Sequence, residues 1–162
     1  MDPSRRSTRD NVPVIAAAHL KLGQRGEELA AAYLTQLGYQ IVAANFALPV
    51  GRNVRGATVN AEMDLVAYEG PTLCFVEVKT RASDWFAPPQ VNVDLRKRRQ
   101  ISRAARAYRR MLDLEGAPYR YDVVNVVLPA DGEGPLQIEL LRNFWTEASL
   151  RKRRWIQNDY YH

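Results

Sequence analysis

Apolar and polar positions along the chain follow two periods, and together they predict seven elements of secondary structure. Apolar residues recur at helical spacing in segments 15–37 and 91–113, which predicts two long helices. Short β-prone apolar runs predict strands at 39–46, 62–68, 73–81, 120–128 and 136–141. The order helix, three strands, helix, two strands indicates one α/β domain with a mixed central sheet flanked by helices.

Segment 62–81 is the most informative stretch, because two apolar runs flank Gly70-Pro71 as in a β-hairpin. A turn centred on this pair places Asp64 opposite Glu77 and Glu62 opposite Lys79. Side chains alternate along a strand, so Glu77 and Lys79 share a face. Directly opposed carboxylates would have Cβ atoms about 5 Å apart, which costs stability unless a cation or a proton lies between them.

Acidic residues on neighbouring strands are more often solvated than functional. Glu77, however, lies within the apolar run 75–78, which is typical of a buried strand, and a buried carboxylate needs a partner. Hard divalent cations bind carboxylate oxygens, polarise phosphoryl groups and lower the pKa of bound water. We therefore predict a divalent-metal site at Asp64 and Glu77, with Lys79 beside it to orient the attacking water or neutralise developing charge.

The spacing Asp64, twelve residues, Glu77-x-Lys79 resembles the PD-(D/E)xK signature of restriction-endonuclease-like nucleases. A longer set of positions between about residues 20 and 145 resembles the YraN-like family of bacterial endonuclease-like proteins. The matching positions are Gly23, Gly26, Glu27, Ala30, Tyr33, Leu34, Gly38, Tyr39, Ile41, Asn45, Glu62, 64–67 and 75–81. The resemblance implies a restriction-endonuclease-like fold and catalytic roles for Glu27, Asp64, Glu77 and Lys79.

Glu27 is unexpected because it falls on the apolar face of the first helix, with Ala30 and Leu34. With a helix beginning near Gly23, a first-turn glutamate would favour the helix dipole. The resemblance implies instead that Glu27 points at the metal site as an additional ligand or water-holding group. Both interpretations are compatible.

The second helix carries a stripe of five arginines along one side, with apolar residues on the other. Such a stripe predicts contact with nucleic-acid phosphates, although it is also compatible with a solvated face. Lys97 and Gln100 resemble family positions, and Gln100 could reach the site from a neighbouring turn. The predicted nucleic-acid-binding residues are Arg96, Lys97, Arg99, Gln100, Arg103, Arg106 and Arg110.

Two segments carry loop signals. Segment 47–61 contains Pro49, Gly51 and Gly56 without periodicity, is lengthened relative to the family, and predicts either an ordered substrate lid or a mobile flap. Segment 80–89 contains Trp85 and Phe86, which predict packing over the sheet end or, less favoured, a base-stacking surface.

The composition of the 162-residue chain limits its domain organisation, its localisation and the kinds of site that it can contain. We expect a disordered basic arm at 1–14, an endonuclease-like domain at 15–146 and a basic aromatic tail at 147–162. A single cysteine and the lack of a long apolar run predict a cytoplasmic protein without membrane contact. Two histidines, both outside the expected core, disfavour a His-based catalytic triad or zinc site.

The expected function is a Mg²⁺- or Mn²⁺-dependent nuclease that cleaves DNA, with branched or single-stranded DNA suggested by analogy with related nucleases. A net charge of +5 agrees with a polyanionic partner. One alternative is a non-catalytic nucleic-acid-binding or complex-organising protein that keeps a relic acidic site. Another is a subunit active only with a partner. The oligomeric state stays open, with a homodimer among the alternatives.

Overall fold

The computed structural model describes residues 12–83, 91–133 and 135–151 of the chain. Two α-helices and five strands account for most of these residues, and a short 3₁₀-helix follows the last strand. Their bounds are α1 Val12–Gln36, β1 Gln40–Arg52, β2 Thr58–Glu69, β3 Thr72–Ser83, α2 Leu95–Met111, β4 Tyr119–Pro129, β5 Gln137–Trp145 and the 3₁₀-helix Glu147–Leu150.

The five strands form one mixed sheet in the order β1-β2-β3-β4-β5. Strands β3 and β4 are parallel and are connected through α2, whereas the other neighbours are antiparallel. One hydrophobic cluster packs α1 against the sheet through Ala30 and Leu34, and a second packs α2 through Ile101 and Tyr108. The mixed α/β sheet flanked by helices confirms the predicted fold class and is consistent with a restriction-endonuclease-like fold.

Gly38 and Asp94 mark two helix ends. Gly38 adopts a left-handed φ of 92° just after α1, and Tyr39 N–H then donates to the Leu34 carbonyl. Asp94 is the N-cap of α2, and its side chain accepts a hydrogen bond from Lys97 N–H.

The loop prediction for 47–61 is wrong, because β1 continues to Arg52 and β2 already begins at Thr58. Asn53 organises the connecting turn, since its Oδ1 accepts the N–H groups of Arg55 and Ala57. Pro49 lies on the edge strand next to a register shift, where proline is tolerated. The proline and glycines that suggested a loop therefore mark an irregular hairpin.

Several expectations concern residues outside the described part of the chain. Residues 1–11, 84–90 and 152–162 include most of the expected basic arm, Trp85 and Phe86, and most of the basic tail. The residues 12–14 that were assigned to the arm belong to α1. In the described segments, no helix is long and apolar enough to cross a membrane.

Candidate metal centre

Strands β2 and β3 pair in the predicted register from Leu65–Val76 to Glu69–Thr72. The ladder ends at Leu65–Val76, one position before Asp64 and Glu77, so the expected pairing of Glu62 with Lys79 lies beyond its end. At this point Val78 N–H donates to Asp64 Oδ2 at 2.8 Å. The Asp64 side chain thus takes the place of a backbone acceptor, and the two strands separate around its carboxylate.

Glu77 is the buried member of this pair, with 4% of its surface exposed. Burial, together with the negative charge of Asp64, raises the pKa of the Glu77 carboxyl to about 7. Protonated Glu77 can donate a hydrogen bond to Asp64, which also raises the Glu77 pKa. The positive charges of Lys97 and Lys79 lower it. The two carboxyl groups are therefore close enough to compete for one proton.

The Glu77 carboxylate has different surroundings at its two oxygens. Oε1 lies 3.4 Å from Lys79 Nζ and 3.9 Å from Lys97 Nζ. Oε2 is buried without a hydrogen-bond partner among the described residues. An unpartnered buried carboxylate oxygen is costly, so this atom is available to a ligand.

Lys97 belongs to this site by geometry, although the sequence grouped it with the nucleic-acid-binding residues. It lies four, seven and eleven residues before Ile101, Ala104 and Tyr108, which form the buried face of α2. This spacing is the signal that could have placed Lys97 towards the sheet. Lys79 is itself partly accessible, with 38% of its side chain exposed.

Glu27 approaches Asp64 from α1. Because α1 begins at Val12, Glu27 is far beyond the first turn, and the helix-dipole interpretation is wrong. Glu27, Glu62 and Asp64 line a pocket of about 240 Å³ together with Asn45, Ala47 and Met63. Burial raises the pKa of Glu27, the Asp64 charge adds to the rise, and a hydrogen bond from Asn45 opposes it.

Asn45 is a site neighbour that the sequence did not single out for a role. Its backbone is left-handed, with φ of 48°, a conformation that costs energy in residues other than glycine and that asparagine tolerates best. On β1 it lies between Ala44, which pairs with Leu65, and Phe46, which pairs with Met63. Asn45 is therefore opposite Asp64 and can hydrogen-bond to Glu27 from there.

A close contact between α1 and β3 fixes the height of Glu27 above the sheet. A Cβ added to Gly26 would lie 1.8 Å from Thr80 Oγ1, so only glycine permits this approach. Thr80 directly follows Lys79 on β3. The same contact therefore positions both sides of the site.

The donor set fits a divalent cation held by two carboxylates. Mg²⁺ commonly uses one or two carboxylates and completes its octahedron with water and substrate phosphates. Asp64 and Glu77 supply such a pair, and the free Oε2 atom of Glu77 is a suitable ligand. Within the described residues, no group of three or more acidic, histidine or cysteine side chains has the geometry of a metal site, and the role of Glu27 as an additional ligand or water-holding group stays a prediction.

The arginine stripe lies on the far side of α2 from Glu77. At about 100° per residue, Arg99, Arg103 and Arg106 are about 180–240° around the helix from Lys97. Arg110 pairs with Glu115 at 3.4 Å on the same exposed side. Arg96 is exposed and Gln100 is half-buried, and their roles stay predictions.

Comparison with known proteins identifies the family. Residues 26–126 match the model of the uncharacterised protein family UPF0102. The chain belongs to this family. Its membership confirms the YraN-like resemblance of the sequence motifs. The matched segment contains Glu27, Asp64, Glu77, Lys79 and Lys97.

Relatives in several bacteria carry the same family name. UPF0102 protein Acid345_3985 of Koribacter versatilis is 43% identical over 110 residues, covering 68% of this chain and 71% of that protein. A UPF0102 protein of Porphyromonas gingivalis is 44% identical over 116 residues, covering 72% and 78%. UPF0102 protein STH1475 of Symbiobacterium thermophilum is 39% identical over 123 residues, covering 76% and 94%.

Proposed function

We propose that this UPF0102 protein is a Mg²⁺- or Mn²⁺-dependent nuclease of the PD-(D/E)xK type. The observation that carries the proposal is the Asp64–Glu77 pair at the point where β2 and β3 separate. Its two carboxyl groups share one site, one of their oxygens is buried and unpartnered, and two lysines lie alongside. Shifted carboxyl pKa values of this kind cluster at functional sites.

Each residue has a distinct role in phosphodiester hydrolysis. Asp64 and Glu77 would hold the cation, which when bound supplies a water of lowered pKa and neutralises phosphate charge. Lys79, with its ammonium partly exposed, orients the attacking water and stabilises charge on the phosphoryl oxygens. Lys97 holds the Glu77 carboxylate in place, and Glu27 with Asn45 shapes the pocket on the other side.

Nucleic acid is the substrate that fits this surface. Arginines on the outer side of α2 can bind phosphates, and the whole chain carries 23 lysines and arginines against 18 acidic residues. DNA, in branched or single-stranded form, is the proposed substrate. The proposed reaction is hydrolysis of phosphodiester bonds. Water attacks the phosphorus atom, and the bond from phosphorus to one ester oxygen breaks.

A second candidate function is nucleic-acid binding without cleavage. It is favoured by one observation, which is that the ammonium groups of Lys79 and Lys97 lie 3.4 Å and 3.9 Å from Glu77 Oε1 and partly balance its charge. In that case the acidic pair would be an internally compensated remnant. The two candidates differ in whether divalent metal is required for an activity.

Cleavage assays separate these candidates. Labelled single-stranded, duplex, flap and four-way DNA, with RNA counterparts, would be incubated with Mg²⁺ or Mn²⁺. We expect metal-dependent cleavage that Asp64→Asn and Glu77→Gln each abolish, while Glu28→Gln, at an exposed position of α1, leaves it unchanged. Absence of cleavage of every substrate with both metals, despite binding, would favour the non-catalytic protein.

A further inference from the structure

A second pocket, of about 250 Å³, lies on the outer side of α2 and is distinct from the carboxylate site. Arg99, Arg103 and Arg106 line it from α2, and Arg151 lines it from the end of the 3₁₀-helix. Ser102, Glu147 and Leu150 complete its wall. Four arginines and one acidic residue thus line this pocket.

This pocket has a fixed wall. Glu147 accepts a hydrogen bond from Tyr121 Oη at 2.8 Å, and its other oxygen lies 3.8 Å from Arg106. Ser102 is buried and accepts a hydrogen bond from Trp145 Nε1 at 3.2 Å. Tyr121 and Trp145 stack at 4.8 Å, so the 3₁₀-helix is anchored to the core.

The charge in this pocket is largely uncompensated. Within the described ranges, Arg106 has an ion pair with Glu147, whereas none joins Arg99, Arg103 or Arg151 to a carboxylate. By comparison, Arg98 lies over the Phe144 ring and Arg109 over the Tyr119 ring. Arginines grouped around one cavity without matching acids are suited to a phosphate group, which they can bind in bidentate fashion.

We propose that this pocket binds a phosphate of a single-stranded segment of the nucleic acid whose scissile bond lies at Asp64 and Glu77. The inference rests on the proposed function, because it concerns the substrate of that site. The ligand must be a flexible strand for a geometric reason. Lys97 and Arg106 are about 13.5 Å apart along the α2 axis and point to opposite sides of the helix, about 180° apart.

A duplex is poorly suited to contact both places. An α-helix with its side chains is about 10–12 Å across, and a ligand that reaches both sides must curve around it. Double-stranded DNA resists bending over a persistence length of about 150 base pairs. A single strand, or the single-stranded arm of a branched molecule, can follow this convex surface.

Binding measurements in EDTA test this inference without requiring cleavage. Fluorescence anisotropy would compare an oligothymidylate of about 20 nucleotides, a flap substrate and a blunt duplex. For Arg99→Gln/Arg103→Gln we expect at least tenfold weaker binding of the first two and less than twofold change for the duplex. The slope of log K against log salt should fall by about 0.7, since the pocket neutralises one phosphate and each neutralised phosphate of a single strand contributes about 0.7.

Lys21→Gln/Arg25→Gln is the matched control, because it also removes two positive charges, from exposed positions of α1 that lie outside the pocket. Thermal unfolding would show that each variant is folded. A 5′-phosphorylated oligonucleotide distinguishes the source of the phosphate. If the phosphorylated strand binds wild type more tightly than the unphosphorylated strand, and the Arg99→Gln/Arg103→Gln variant loses this difference, the pocket binds a terminal phosphate. If the two strands bind wild type equally, the pocket binds an internal phosphate.

Two results would overturn the inference. One is an Arg99→Gln/Arg103→Gln variant that binds single strands as well as Lys21→Gln/Arg25→Gln does, and the other is an equal loss of affinity for duplex and single strand. Failure of the proposed nuclease function would give a different result. If wild-type protein binds single strands through this pocket but cleaves nothing with either metal, the catalytic assignment fails and the phosphate site stands.

Discussion

Glu77 is the residue whose ionisation controls the metal-free site. Its folded-state pKa of about 7 lies above the ordinary value of 4.5, so the folded protein binds this proton more tightly than the unfolded chain does. The resulting contribution to stability is complete below about pH 4.5 and is lost as pH rises to about 7. Metal must displace the same proton, so metal affinity rises over that range.

A Glu77→Gln variant tests this linkage. In the absence of metal it should lack the fall in unfolding free energy between about pH 4.5 and pH 7. At pH 8 it should be more stable than wild type by up to about 3 kcal/mol, because one pKa unit corresponds to about 1.4 kcal/mol. Urea unfolding at several pH values measures the difference. A pH profile parallel to wild type would show that Glu77 is ionised without penalty.

Lys79 and Lys97 have separable roles although both contact Glu77. Lys79→Ala should lower metal-dependent cleavage by about 10²-fold or more, since it removes a cation near the reacting phosphate, while DNA affinity changes little. Exposed Lys21→Ala is the charge-matched control. If Lys79→Ala instead retained full cleavage and only lost stability, its role would be confined to compensating Glu77.

Lys97 opposes the pKa rise of Glu77 more strongly than Lys79 does. Lys97→Ala should therefore raise the Glu77 pKa further and move the pH dependence of Mn²⁺ affinity to higher pH. Titration of Mn²⁺ at a series of pH values measures this shift. An unchanged pH midpoint would mean that Lys97 does not influence the Glu77 proton.

At the scale of elements, the approach of α1 to β3 at Gly26 holds the two halves of the site together. Gly26→Ala forces Cβ against Thr80 and should destabilise the fold by about 1–3 kcal/mol and weaken metal binding. Gly23→Ala is the matched control, because its added Cβ meets no atom within 4 Å. It should stabilise α1 by about 0.5–1 kcal/mol. Equal effects of the two substitutions on unfolding and metal affinity would contradict this contact.

The sequence predicted those elements whose signals are local. The Gly70-Pro71 turn and strand alternation placed Asp64 and Glu77 at adjoining positions, and helical spacing placed Glu27 towards the sheet. The sequence could not show that β2 and β3 separate at Asp64 and Glu77, because a hydrogen bond from a backbone N–H to a side chain leaves no periodic pattern. The hairpin at 47–61 was missed because Pro49 also marks loops.

Across the whole molecule, the sheet brings distant parts of the chain to one place. Glu27 arrives from α1, Asp64 and Glu77 from the β2–β3 hairpin, and Lys97 from α2 on the opposite face. The arginine pocket lies further round α2, so one helix separates the proposed catalytic site from the proposed phosphate site. Lys97 and the arginines of the stripe are all basic residues of α2 that face different sides of the helix, so charge alone could not distinguish Lys97 from them.

The central claim is that Asp64 and Glu77 together hold a divalent cation, and titration of Mn²⁺ by calorimetry at pH 8 tests it most directly. We expect one Mn²⁺ per chain for wild type and for Glu28→Gln, and loss of this binding in Asp64→Asn. At pH 8 Glu77 is largely ionised, so the proton does not mask the site. Absence of binding to wild type, or equal binding to Asp64→Asn, would contradict the claim.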